Sequence, residues 1–154
     1  MDSKKVALFE QILEEMVPFH RILQLRLEEI STGCARLRIP YRPDLVGDPR
    51  RNSIHGGVIA SAMDAAGGAA ALTTLTSYED RCSTIDLRVD YYRPGRAEDI
   101  ITEARIAQNG NRVIFTHIKA YHPSDPNSII AEGTAVFSVR RTEPSNNIET
   151  PLVL

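Results

Sequence analysis

GVIASAMDAAGGAAALTTLT, residues 57–76, is the longest helical stretch of this sequence and decides its fold. Small apolar residues, most of them alanine, occupy all sides of the predicted helix. A helix that is apolar all round is buried, because it has no polar face to turn towards water. About twenty residues at 1.5 Å each make a rod roughly 30 Å long, the width of a small domain. We therefore expect the rest of the chain to enclose this helix.

The chain before this helix predicts one short helix and a hairpin. Residues 4–16 carry apolar side chains at helical spacing, and this amphipathic helix is expected to end before Pro18. From residue 22 to residue 40, apolar and polar residues alternate on both sides of Ser31-Thr32-Gly33, which predicts two strands joined by a turn. Residues 41–54 contain prolines, a glycine and an asparagine, and they predict a loop.

The chain after the helix predicts four strands. Residues 100–107 and 112–121 flank an Asn-Gly turn, which is a strong hairpin signal, and residues 129–139 form the last strand. A strongly twisted antiparallel sheet of five or six strands can curve around the helix, so we expect an α+β domain over residues 1–141. Residues 142–154 are expected to form a loose tail. The strand over 84–92 alternates, with Ile85, Leu87, Val89 and Tyr91 on one face and Asp86, Arg88 and Asp90 on the other.

Length and composition exclude several classes of protein. The chain has 154 residues and a net charge of −2, so nothing in its charge favours a nucleic-acid partner. Cys34 and Cys82 fit neither a disulfide framework nor a metal-ligand spacing, and the histidines are scattered, so no metal or cofactor is expected. The sequence has no signal peptide and no apolar run of about 18 residues, which predicts a cytoplasmic protein without a membrane span.

Asp64 is the most informative residue, because it is an acid inside the apolar helix. Its helical neighbours are alanine, serine and glycine, which offer it almost no polar partner. A carboxylate buried without a partner costs several kcal/mol, so such a residue is paired, protonated or functional. A structural acid that reaches solvent or a nearby backbone group is the alternative interpretation.

The helix begins at His55-Gly56-Gly57, where backbone N–H groups have no acceptor within the helix. Such a terminus attracts an oxyanion, and glycine lets a substrate carbonyl approach the backbone. The glycines could instead serve only to turn the chain into the helix. Combined with the acid of Asp64, they predict an oxyanion site plus a base or nucleophile, which suits hydrolysis of an ester or thioester.

The spacing of these two features has a consequence for assembly. Gly56 and Asp64 lie eight residues apart, which is about 12 Å along a helix and too far for both to act on one carbonyl group. A working site would then combine Gly56 of one subunit with Asp64 of another. Gly67 and Gly68 cost roughly 1 kcal/mol each against alanine, so they leave room either for a close strand or for the acyl tail of a ligand.

Three motifs resemble those of a known family. Residues 52–64, NSIHGGVIASAMD, resemble the signature of the phenylacetate-pathway-type (PaaI-like) acyl-CoA thioesterases of the hotdog-fold superfamily. Residues 84–94, TIDLRVDYYRP, are similar to the central strand of that family, and residues 130–135, IAEGTA, to its last strand. The resemblance covers roughly residues 20–140. It implies the hotdog fold, a long central helix wrapped by an antiparallel sheet, and hydrolysis of an acyl-CoA thioester to a free acid and CoA.

The resemblance also implies the catalytic roles. Gly56 would donate its backbone N–H to the thioester carbonyl, and Asp64 would act as general base on water or as nucleophile through a mixed anhydride. Thr84 would help hold the attacking water. The site would lie at the interface of a homodimer, and a dimer of dimers is common in the family.

Further residues would bind the substrate. Gly57 shares the helix start, His55 would anchor the loop before it, and Arg112, beside the Asn-Gly turn, would meet CoA phosphates. Many relatives carry an asparagine six residues before the histidine as a second contact to the thioester carbonyl. Pro49 stands there in this sequence, and Asn52 either replaces that asparagine or only turns the loop.

Two other functions compete with hydrolysis. The chain could be a catalytically silent hotdog module that binds acyl-CoA, which Pro49 favours and the retained Asp64 opposes. A hydratase or dehydratase of the same fold would need a proton-transferring Asp/His or His/Glu pair, and no signature of that kind is present.

Overall fold

The computed structural model describes residues 1–77 and 79–142, which fold as a long helix wrapped by one sheet. The helices are α1 (Ser3–Gln11), a π-helical turn (Ile12–Met16), α2 (Pro18–Leu23), a 3-10 turn (Pro43–Leu45) and α3 (Gly56–Leu72). The strands are β1 (Arg26–Ser31), β2 (Cys34–Ile39), β3 (Val46–Asp48), β4 (Ser53–Ile54), β5 (Arg81–Tyr91), β6 (Ile100–Asn109), β7 (Val113–His122) and β8 (Asp125–Arg140).

Six strands form one antiparallel sheet in the order β1-β2-β6-β7-β8-β5, and β3 pairs with β4 separately. The concave face of the sheet packs on α3, which contacts β2, β6, β7, β5 and β8. The alanines of α3 let these strands approach closely, and the buried Thr102 of β6 donates its hydroxyl to the carbonyl of Ala62, 3.2 Å away. The predicted fold, an α+β hotdog with a short N-terminal helix, is therefore confirmed, with six strands.

The N-terminal segment differs from the prediction after Pro18. The helix does end before this proline, through a π-helical turn in which the N–H of Val17 bonds to the carbonyl of Ile12 at 3.3 Å. Residues 22 and 23, predicted as the start of a strand, instead belong to α2. Proline suits the first position of a helix, where its missing N–H is not needed, so Pro18 begins a helix as well as ending one. Gln24, in the left-handed conformation at φ 53°, then ends α2 and the strand begins at Arg26.

The central helix is shorter than predicted at its C-terminal end. It stops at Leu72, because the hydroxyls of Thr73 and Thr74 bond back to carbonyls of the last turn and compete with further helical bonds. The hydroxyl of Thr73 also accepts the N–H of Gly33 at 2.7 Å. The turn between β1 and β2 is thereby tied to the end of α3.

Strand β5 contains a bulge that changes which residues face the helix. Thr84 pairs with Phe137 and Asp86 with Val136, so Ile85 has no partner of its own in the ladder. The extra residue reverses the alternation, and Thr84 comes to lie on the same face as Leu87 and Val89. The single apolar face predicted from Ile85 to Tyr91 is thus wrong at its beginning, where Ile85 is 60% exposed.

The structure describes the whole of the predicted loop before α3 but only the first residue of the predicted tail. The loop over residues 41–54 contains the 3-10 turn and the small β3–β4 pair, which bring the chain back towards the start of α3. The predicted tail lies outside the described residues from residue 143 onward. Thr142 is described, and its N–H donates to the carboxylate of Asp80 at 2.8 Å.

Candidate active site

The start of α3 is organised by His55, which is the N-cap residue of the helix. Its Nδ1 accepts the N–H of Gly57 at 2.9 Å, and its carbonyl accepts the N–H of Val58 at 2.9 Å. The ring nitrogen that accepts this bond carries no proton. In the described part of the chain, no acceptor bonds to the N–H of Gly56. This group is therefore the one that the helix start leaves for a ligand.

Gly57 has a different structural role from Gly56. A Cβ at residue 57 would lie 2.9 Å from Nδ1 of His55, so glycine is needed here for the ring to close over the helix end. The N–H of Gly57 is already used by that ring. Gly57 thus holds the cap in place, while the N–H of Gly56 has no acceptor among the described residues.

Tyr91 is a second residue that positions Gly56, although its sequence pattern predicted only a place on one face of a strand. Its hydroxyl donates to the carbonyl of Gly56 at 2.7 Å, and a Cβ at residue 56 would lie 3.4 Å from its ring. Burial raises the pKa of Tyr91, so the hydroxyl keeps its proton for this bond. The side chain connects the end of β5 to the beginning of α3.

Asp64 lies on α3, half-buried, and its partner comes from the sheet rather than from the helix. The hydroxyl of Thr84 donates to Oδ1 of Asp64 at 2.8 Å. The bulge in β5 makes this contact possible, because regular alternation would have turned Thr84 away from α3. Since the proton of the hydroxyl is used, the oxygen of Thr84 is left as an acceptor for a water molecule beside the carboxylate.

Asp64 and Thr84 open onto a cavity of about 210 Å³ between α3, β5, β8 and the N-terminal helices. Two further groups that the sequence did not associate with Asp64 also line it. The ring of His20 is fixed by a 3.0 Å bond between its Nδ1 and the carbonyl of Leu13, and burial lowers its pKa. Cys82 lines it too, and burial, together with the charge of Asp64, raises the pKa of its thiol to about 11. No local sequence signal could have linked these residues, because they come from separate elements.

Asn52 and Arg112 lie apart from Asp64. Asn52 is exposed in the loop before α3, in the left-handed conformation at φ 49°, and its Oδ1 accepts the hydroxyl of Tyr41 at 3.3 Å. Of the two interpretations of this residue, a loop-turning role is the one that this geometry favours. Arg112 is exposed just before β7, with its carbonyl accepting the N–H of Val139 at 2.8 Å.

The two halves of the candidate site are separated within one chain. Gly56 and Asp64 are both in the continuous helix α3, so they lie about 12 Å apart along its axis. Tyr91 lies beside Gly56 at the start of α3, whereas Thr84 and the cavity lie beside Asp64 in the middle of the helix. One chain therefore presents an oxyanion-type donor and a carboxylate at two places on its surface.

Two absences can be stated for the described residues, 1–77 and 79–142. No helix among them is long and apolar enough to cross a membrane. No three of their His, Cys, Asp and Glu side chains cluster in a way that could hold a metal ion.

A helix wrapped by a six-stranded antiparallel sheet defines a hotdog-fold protein, and here that helix carries a carboxylate beside a cavity. The model of one family, the thioesterase superfamily, matches residues 52–128, which include the whole of α3 and β5. The chain belongs to this superfamily, and the predicted class of enzyme, a thioester hydrolase, is confirmed with it.

Individual relatives agree with the family. The medium/long-chain acyl-CoA thioesterase YigI of Escherichia coli (strain K12) is 36% identical over 135 residues, covering 80% of this chain and 86% of its own. A crystal structure from Shewanella oneidensis, related to the thioesterase superfamily, has a TM-score of 0.78 at 25% identity and covers 90% of this chain and 99% of its own. A thioesterase family protein from Silicibacter pomeroyi, at 22% identity, TM-score 0.76 and coverages of 87% and 99%, shares the fold.

Proposed function

We propose that this chain hydrolyses acyl-CoA thioesters to a free acid and CoA, with Asp64 as the catalytic carboxylate. The observation that carries the proposal is the bond from Thr84 to Asp64 at the mouth of an apolar cavity. An acid held in this way keeps one oxygen free for chemistry beside a space that accepts an apolar group. The name of YigI, a medium/long-chain acyl-CoA thioesterase, supports a CoA thioester as substrate. The PaaI-like subtype stays a prediction from the three sequence motifs.

The reaction requires one water molecule and no oxidant or reductant. Water held by Asp64 and the hydroxyl oxygen of Thr84 attacks the thioester carbon while Asp64 takes its proton. The carbonyl electrons move to oxygen, and the N–H of Gly56 stabilises the resulting oxyanion. Collapse of this intermediate breaks the C–S bond, and the CoA thiolate receives the proton. In the alternative route Asp64 attacks directly, forming a mixed anhydride that water then hydrolyses.

The active site is proposed to form between two subunits. The 12 Å that separate Gly56 from Asp64 within α3 leave no place where both reach one carbonyl. Strand β5, with 11 residues, lies at the edge of the sheet, and a long edge strand is a template for pairing with another chain. Pairing of two copies along β5 would bring Thr84 and Tyr91, which touch Asp64 and Gly56, to the same interface. A dimer of dimers remains an expectation from the family resemblance.

The remaining predicted residues would bind the substrate or hold the groups that bind it. His55 and Gly57 would act by holding the N–H of Gly56 in place, as their hydrogen bond allows. Arg112 is exposed and positively charged, which suits contact with a CoA phosphate. Asn52 could supply a second contact to the thioester carbonyl through the N–H groups of Nδ2, because only its Oδ1 is engaged, as acceptor of the Tyr41 hydroxyl.

The test measures thiol release from acyl-CoAs of short, medium, long and aryl type, using wild type, Asp64→Asn and Asp64→Ala. We expect turnover in the wild type and a loss of about a hundredfold or more in both variants, with the oligomeric state unchanged. Equal rates in wild type and variants would refute the role of Asp64. Binding of acyl-CoA without thiol release would instead establish the silent binding module.

A matched pair at Thr84 tests how the carboxylate is held. Thr84→Ser keeps the hydroxyl and is expected to retain most of kcat, whereas Thr84→Val keeps the shape and loses the bond to Asp64. A loss of about tenfold in kcat for the valine variant alone fits a group that positions water and carboxylate. Equal kcat in both variants would show that the bond has no part in turnover.

A further inference from the structure

Two adjacent glycines in α3 have different surroundings, although the sequence presents them as a pair. A Cβ at Gly67 would lie 3.0 Å from Cδ1 of Ile118 and 3.0 Å from Cε2 and Cζ of Phe137, so close packing explains this glycine. A Cβ at Gly68 would meet only Cε1 of Phe137, at an ordinary 3.5 Å, apart from the backbone of the helix itself. Packing therefore does not require glycine at residue 68.

Glycine inside a helix is unfavourable relative to alanine, because it loses more backbone freedom on folding. At Gly68 no close contact with a neighbouring side chain explains why glycine is present despite this cost. Gly68 does line the cavity that opens at Asp64, so the missing side chain enlarges that space. The cost has an explanation if the space is occupied by substrate.

The cavity follows one face of α3. Asp64, Gly68 and Leu72 are spaced by four residues, so they lie one above the other along the helix, at about 0, 6 and 12 Å. Side chains of the N-terminal helical segment and of β8 form the opposite wall. These wall residues are the apolar side chains of Ile12, Leu13, Val17 and Phe137, together with the ring of His20.

We propose that this cavity binds the acyl chain as an unbranched aliphatic tail of medium length, and that Gly68 determines the length accepted. The proposal rests on the proposed thioesterase function, in which the thioester lies at Asp64. An extended polypeptide advances about 3.3–3.6 Å for every three backbone bonds, and an extended acyl chain advances by a similar distance. It therefore passes Gly68 after about five bonds and reaches Leu72 after about ten. The bulky, charged CoA moiety cannot enter an apolar space of about 210 Å³, so the tail is the part that fills it.

The experiment compares kcat/KM for butyryl-, octanoyl-, decanoyl- and palmitoyl-CoA in wild type, Gly68→Ala and Gly68→Val. The wild type is expected to prefer octanoyl- and decanoyl-CoA. Because a butyryl chain ends before residue 68, the ratio of the octanoyl to the butyryl value should fall by about tenfold or more in the valine variant and by less in the alanine variant. Melting temperatures show whether each variant is folded, and the alanine variant is expected to melt at or above wild type.

Two outcomes would overturn the proposal in an active enzyme. Unchanged chain-length ratios in both folded variants would show that the tail does not pass Gly68, and an equal loss at every chain length would place the effect on the reaction itself. If valine prevents folding, the alanine variant decides by the same ratio.

A wild type that releases no thiol from any acyl-CoA would refute the proposed function and leave the cavity to be tested by binding. Calorimetric titration would then compare decanoyl-CoA with CoA alone. Weaker binding of decanoyl-CoA to Gly68→Ala than to wild type, with CoA binding unchanged, would support the tail site, and equal affinities would refute it.

Discussion

At the scale of single residues, the candidate site depends on which backbone and side-chain groups are already engaged. His55 takes up the N–H groups of Gly57 and Val58, which singles out that of Gly56. In the middle of α3, Thr84 donates a hydrogen bond to Asp64, which has no polar partner within the helix itself. Sequence motifs identified all of these positions. The different roles of Gly56 and Gly57 follow only from the structure, in which the His55 ring accepts the N–H of Gly57.

Gly56→Pro tests the oxyanion donor without removing the helix start. Proline lacks an N–H, suits the first position of a helix, and accepts a preceding residue with the extended conformation of His55, φ −63° and ψ 131°. We expect kcat to fall by about a hundredfold or more, as for loss of one oxyanion donor. Gly56→Ala is the control, because it retains the N–H and places its Cβ 3.4 Å from Tyr91.

The control variant should keep most of its kcat. A similar fall in both variants, with both proteins folded, would mean that the added atoms rather than the missing N–H are responsible. Steady-state thiol release and circular dichroism together separate these results.

His20 gives a prediction for the pH dependence of stability. Burial holds its pKa below 6.5 in the folded protein, so on acidification the unfolded state takes up a proton that the folded state does not. This group therefore lowers stability as the pH falls below its unfolded pKa, and its contribution vanishes above it. In His20→Gln the loss of unfolding free energy between about pH 7.5 and about pH 5.5 should be smaller than in wild type. Urea titrations measure it, and an equal loss in both proteins would contradict the assignment.

At the scale of elements, β5 and α3 together build the site. The bulge at Ile85 turns Thr84 towards α3, and the tyrosine at the end of the same strand holds the helix start. α3 also packs against β6, β7 and β8, and at Gly67 the side chains of Ile118 from β7 and Phe137 from β8 fill the space. Each functional group thus depends on the fit between one helix and one strand.

Gly67→Ala tests how tightly α3 packs on the sheet. The new methyl group would lie 3.0 Å from Ile118 and Phe137, and overpacking of this kind costs about 1–3 kcal/mol. The gain in helix propensity is only about 1 kcal/mol, so we expect a net loss of unfolding free energy. Gly68→Ala is the matched comparison, with the same gain and an ordinary 3.5 Å contact. Denaturant unfolding should therefore give a lower unfolding free energy than wild type for Gly67→Ala and a higher one for Gly68→Ala. A stabilised Gly67→Ala would contradict the packing argument.

At the scale of the whole molecule, one chain presents each half of the site once. The distance of about 12 Å along α3 and the place of β5 at the edge of the described sheet both support the proposed dimer. A symmetric dimer would contain two complete sites, each with Gly56 from one subunit and Asp64 from the other.

Mixed dimers provide the decisive measurement. Gly56→Pro and Asp64→Ala should each be inactive alone, whereas in a mixed dimer one of the two sites is intact. Random mixing after refolding or co-expression makes half of the dimers mixed, so about a quarter of the wild-type activity should return. Mixing of two preparations of the same variant is the control. Complete absence of recovery, with subunit exchange shown by differently tagged chains, would place both groups of a working site in one chain.

The fold was predictable from the sequence because it follows from short-range patterns. An apolar helix of known length needs an enclosing sheet, and alternation with turn residues specifies the strands. Pro18 shifted the start of one strand, and the bulge at Ile85 changed which residues of another face the helix. Gly56 and Asp64 could also be identified, since their types and spacing within one helix are local facts.

Tertiary structure alone decided which distant residues meet them. Tyr91 reaches the start of α3, and Thr84, His20 and Cys82 reach its middle at Asp64. They do so through strand register, a bulge and a π-helical turn, which depend on packing between elements far apart in the chain. The difference between Gly67 and Gly68 has the same origin. The two residues are identical and adjacent in sequence, and the positions of the Ile118 and Phe137 side chains leave one packed and the other open to a cavity.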